Sequence, residues 1–128
     1  MKYGVLKDNG HLSFRELKDD DNIVKTLQKL VDGDIAYKSI NDVCGGKVPK
    51  EMKNVYLVLN DEYKKMTGVR PTMLIENDLL VGTIVFVGVE KLGKQRKTVG
   101  LTDLQVEKLP NLIDKYIISE NLKKAFGV

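Results

Sequence analysis

Nucleophilic catalysis needs a proton acceptor held beside its nucleophile. This chain has one histidine, His11, and one cysteine, Cys44, to build with. His11 follows the turn-prone Asp8-Asn9-Gly10 and lies far from Cys44 in sequence. No Ser/His/Asp or Cys/His grouping emerges, and a Cys/His zinc site lacks ligands outright. The expectation is a non-enzyme, with no catalytic residue, no metal and no cofactor. Asp19-Asp20-Asp21 is the densest acidic run. Consecutive side chains point in different directions, so it reads as a helix N-cap and dipole partner rather than a ligand set. Cys44 reads as a small packed residue, although the neighbouring Gly45-Gly46 leaves it accessible.

Anion binding is the chemistry the residues favour. Lys47, Lys50 and Lys53 form one basic region; Lys91, Lys94, Arg96 and Lys97 form another, opposed locally only by Glu90. Neither Gly93-Lys94-Gln95-Arg96-Lys97 nor Gly45-Gly46-Lys47 has P-loop spacing, but glycine-rich turns of this kind can form backbone anion nests. The acidic residues gather elsewhere, at 19–21, 61–62 and in the C-terminal helices. That segregation points to an anion-attracting face. The candidate ligand-binding residues of these loops are Lys94, Arg96, Lys97, Lys47 and Lys50. Tyr37, Tyr56 and Tyr63 are scattered and there is no tryptophan, so a single-strand stacking platform is thinly supported.

The elements that must position these side chains are legible in outline. Residues 2–7 and 11–17 are β-prone runs about an Asn-Gly hairpin signal. Apolar spacing at Ile23, Val24, Leu27, Leu30 and Val31 predicts a helix over 21–32, stopped by Gly33. Strands are expected at 34–40, 54–59 and 80–89, with a brief edge strand at 73–75. The run at 80–89, apolar on both faces, should be central. Residues 41–53 read as loop, and 60–66 as a turn or short helix. Thr102-Asp103-Leu104-Gln105 fits a capping box, with Leu101 and Val106 as its hydrophobic staple. Pro110 should kink that helix or restart it near Asn111, and Ile113, Tyr116, Ile117, Leu122 and Phe126 continue an apolar stripe. The fold class is α+β: an antiparallel or mixed sheet of about five strands, one packed helix and a helical C-terminal tail.

At 128 residues the chain suits a single domain, 1–128, able to close a core without staples. Its net charge is +3. That permits an anionic partner without the charge density of a nucleic-acid coat. A lone cysteine fits a reducing compartment, and no apolar run approaches a membrane span, so a cytoplasmic location and no membrane partner are expected.

Leu27 to Gly33, Val55 to Glu62, Leu80 to Gly88 and Gly100 to Lys108, within residues 12 to 115, together resemble the domain-of-unknown-function 3846 family. The family's Leu-Pro-x-Asn-Arg segment is replaced here by Gly68-Val69-Arg70-Pro71-Thr72, which lacks the Asn-Arg pair. Arg70 stands where the family places its arginine, and so joins the candidate binding residues. The resemblance implies an accessory protein of a phage or mobile element that counters host defence. It would do so by sequestering an anionic nucleotide signal or by occluding a host defence protein, with a homo-oligomer able to build the pocket. The alternative is a nucleic-acid-associated protein whose basic loops hold phosphate backbone.

Overall fold

The computed structural model describes residues 1–18, 22–75 and 78–118. The fold is α+β. Strands β1 (Lys2–Leu6), β2 (Leu12–Glu16), β3 (Ile35–Ser39), β4 (Val55–Asn60), β7 (Ile84–Leu92) and β8 (Gln95–Val99) form one antiparallel sheet. Its order is β2-β1-β7-β4-β3, with β8 joined to the far half of β7. Strands β5 (Pro71–Ile75) and β6 (Asp78–Val81) make a separate two-stranded sheet.

Period-two alternation gives the main sheet two buried faces. On one, helix α1 (Ile23–Val31) sets Leu27 and Val31 against Val5, Val58, Val85 and Val87. On the other, Leu6, Leu57, Leu59, Ile84 and Phe86 meet Met73 and Leu80 of the small sheet. Helices α2 (Ile40–Val43) and α3 (Asp103–Ile113) close that second layer through Ile40, Leu109 and Ile113. The capping box is present: Thr102 Oγ1 accepts the Gln105 N–H at 3.1 Å, and Gln105 Oε1 accepts the Thr102 N–H at 2.9 Å. Leu101 and Val106, the staple pair, pack in the same core.

Three expectations about strands and loops are corrected. The 80–89 run is not one strand. Gly82 has φ 76°, which turns the chain so that β6 pairs β5 while β7 enters the main sheet. β7 is central, between β1 and β4. The basic stretch after it is not a loop: Gly93 (φ 62°) and Lys94 form a two-residue turn, and the chain returns as β8. Gln95-Arg96-Lys97-Thr98-Val99 has no apolar alternation to announce a strand. Within 41–53, α2 and a 3-10 turn at Lys50–Met52 replace the expected loop, and Met52 is buried.

The α1 cap is also reassigned. Asn22 Oδ1 accepts the Lys25 N–H at 3.1 Å, and Asp19–Asp21, read as the cap, lie outside the described residues. Helix α3 runs through Pro110 to Ile113 instead of restarting at Asn111. Proline forfeits one donor there, and its exposed position lets the helix continue. A 3-10 turn at Asp114–Tyr116 follows, and Leu122 and Phe126 fall outside the described residues.

Candidate functional site

The site arises because β7 is longer than its neighbour. β4 pairs with β7 as far as Gly88, opposite Val55; the Val89 N–H still donates to Asn54 O at 2.9 Å, and beyond it β7 pairs with β8 alone. A two-stranded ribbon twists more than a wide sheet, so this overhang is free to curl. It curls over the part of the α1 face that the helix itself leaves uncovered. The Tyr37 hydroxyl of edge strand β3 lies 2.9 Å from Thr98 Oγ1 of β8. An overhanging arm therefore bends back across β4 towards the opposite edge of the sheet.

Register decides which side chains face the enclosed space. Tyr37 sits opposite Val58 and Tyr56 opposite Ser39, making the two tyrosines diagonal neighbours on the α1 face. On the arm, Val89 opposes Thr98 and Lys91 opposes Arg96, and alternation sets all four on that same face. Tyr37, Tyr56, Val89, Arg96 and Thr98 enclose a cavity of about 150 Å³. A larger one of about 400 Å³ shares Tyr37, Tyr56 and Arg96 and reaches Ser39 and Asp42 at the start of α2, and Lys38 and Asp78.

Charges in this cleft are unevenly satisfied. Asp78 Oδ2 accepts the Tyr63 hydroxyl at 2.7 Å and lies 3.5 Å from Lys38 Nζ. Lys38 also rides 5.6 Å from the centre of the Tyr63 ring. Burial, reinforced by Asp78, pushes the Tyr63 phenol up to about 12. It stays protonated as a donor, a positioning group rather than a base. By contrast, Lys91, Arg96 and Asp42 make no ion pair with one another or with any other described residue. Like charges directly opposed across two strands repel, and Lys91 and Arg96 form such a cationic pair, without an ion-pair partner among the described residues.

The six expected binding residues disperse. Arg96 alone lines the cleft. Lys97 points to the other face, opposite Glu90, and Lys94 occupies the tip of the arm. Lys47 is exposed after the Gly45-Gly46 turn, and Lys50 opens the 3-10 turn that packs beside α3. Arg70 precedes β5, where its carbonyl accepts the Gly82 N–H at 3.1 Å. Sequence reasoning passed over Tyr37, Tyr56 and Asp42 as site residues; Lys91 faces Arg96 in the register but is exposed and lines neither cavity. Alternation within each strand could have assigned their faces, but only strand order makes those faces one.

Among the described residues no three His, Cys, Asp or Glu side chains converge to hold a metal ion. His11 is exposed beside the first hairpin, and Cys44 is half-buried at the end of α2. No helix among the described residues is long and apolar enough to cross a membrane. Comparison with protein-family models, with curated proteins and with solved structures finds no match to this chain.

Proposed function

We propose that this protein is a non-enzymatic binder that holds an anionic nucleotide in the cleft beneath the β7–β8 arm. One observation carries the reading: Arg96 lines the tyrosine-walled cleft, Lys91 stands directly opposite it in the register, and neither has an ion-pair partner among the described residues. A bound phosphate relieves that repulsion, and a guanidinium suits it through paired N–H donors. Tyr37 and Tyr56 supply ring faces for a base, a contact worth about 1–3 kcal/mol in nucleic-acid binders. The volume of about 400 Å³ lies at the small end of ligand pockets, suited to one nucleotide rather than a duplex. In the cell this binding counters host defence by sequestering a nucleotide signal, the role that the phage and mobile-element resemblance implies.

Isothermal titration with nucleoside 5′-monophosphates, and with the matching nucleosides, tests the reading. Nucleotides should bind and nucleosides should bind at least tenfold more weakly, with Arg96→Glu abolishing the difference. A folded protein that binds neither refutes it. Binding only to long single strands, with affinity falling steeply as salt rises, would instead favour the phosphate-backbone alternative.

A further inference from the structure

The cleft carries a carboxylate as well as a cation, which narrows its ligand. Asp42 lines the larger cavity, is exposed, and makes no ion pair or side-chain hydrogen bond with any described residue. Asp78, the other carboxylate there, is already engaged by the Tyr63 hydroxyl and by Lys38. An ionised carboxylate only accepts hydrogen bonds, so Asp42 offers two acceptor oxygens to whatever enters. Ser39, which also lines the cavity, already accepts the Asn41 N–H through Oγ.

Resting on the nucleotide reading above, we infer that the preferred ligand is a free guanine nucleotide, its phosphate on Arg96 and Lys91 and its base edge on Asp42. Two adjacent N–H donors, N1–H and the 2-amino group, match a carboxylate in a bidentate pair. Adenine and cytosine present a single exocyclic amino donor beside an acceptor, which a carboxylate repels. Uracil presents one ring N–H between two carbonyls. The tyrosine rings are indifferent to base identity, since every base has a π-face, so discrimination falls to Asp42.

The test is titration of the full chain with guanosine, inosine, adenosine and uridine 5′-monophosphates and with ribose 5-phosphate. Inosine monophosphate is the sharp comparison because it lacks only the 2-amino group. Guanosine monophosphate should bind about tenfold or more tightly than inosine monophosphate, and uridine monophosphate should resemble ribose 5-phosphate with a stacking increment. Asp42→Asn should bring the guanosine-to-inosine ratio close to one. Should that variant melt early, the ratio measured on the unaltered protein still decides the matter. Equal affinity for all four nucleotides overturns the guanine assignment and leaves the nucleotide reading standing. No binding of any phosphate-bearing compound overturns both. Tighter binding by tenfold to a guanosine-ended oligonucleotide, with a steep salt slope, overturns the free-nucleotide assignment.

Discussion

The Tyr37 hydroxyl meets Thr98 Oγ1 at 2.9 Å, joining the edge strand β3 to the last strand β8 across the face of the sheet. The bond is exposed, so its net worth is that of an ordinary surface hydrogen bond. Its consequence is geometric: it holds the arm over the cleft. Tyr37→Phe should leave the melting temperature within a few degrees of the parent. Amide hydrogen exchange in β8 should nevertheless accelerate relative to β4. Unchanged exchange at residues 95–99 would mean that the ribbon's own twist holds the arm.

On the proposed nucleotide reading, the opposed cations at Lys91 and Arg96 set stability against binding. Lys91→Glu replaces a repulsive cross-strand pair with an attractive one, and should raise the melting temperature by roughly 1–4 °C. The same change should weaken nucleotide binding by tenfold or more, because it removes one phosphate contact and adds repulsion. Lys97→Glu, on the opposite face, should not weaken binding. Equal losses from both substitutions would place the ligand on the rim of the arm instead of in the cleft.

Two substitutions at the start of α3 should differ in size. Thr102→Ala removes the cap alone and should cost on the order of 1 kcal/mol. Gln105 is 3% exposed, and its amide also donates to Glu51 O at 2.9 Å and Asn54 Oδ1 at 2.7 Å. Gln105→Ala should therefore cost about 2–3 kcal/mol, since it leaves those acceptors unpaired in a part-buried setting. Urea melts separate the two, and neither change should alter nucleotide affinity.

Tyr63 predicts an alkaline limb in the stability profile. Its phenol is pushed from 10.0 up to about 12 in the folded chain, by burial first and then by Asp78. The protonated form is favoured by folding, so this contribution is complete below pH 10 and disappears as pH rises through about 12. Tyr63→Phe should be less stable than the parent at neutral pH, by about 1 kcal/mol for the lost hydrogen bond to Asp78. The deficit should shrink between pH 10 and 12. A deficit that stays constant across that range would show that folding does not raise the Tyr63 phenol. Tyrosinate absorbance of the parent compared with Tyr63→Phe gives an independent reading.

Short-range signals made much of the fold legible from the residues alone. Asp8-Asn9-Gly10 marked the first hairpin, and Gly10 adopts φ 84° there. Apolar spacing marked α1, and Thr102 with Gln105 marked the start of α3. The doubly apolar run marked β7 as central, because a strand covered on both faces must be apolar on both. Each of these preferences is satisfied by residues a few positions apart, so one stretch of chain is enough to reveal it.

The cleft is different in kind. Tyr37 and Thr98 are separated by 61 positions, and nothing local links them. Their meeting depends on strand order, on β7 outrunning β4, and on the twist of the ribbon beyond Gly88. The same alternation that sends Arg96 into the cleft sends Lys97 away from it, so a basic cluster in sequence becomes two opposite faces in space. Sequence alone determined the α+β class, the central strand and the net charge of +3. Which cations stand together, and which rings and carboxylate they face, was decided only by tertiary structure, because strand pairing is a long-range choice.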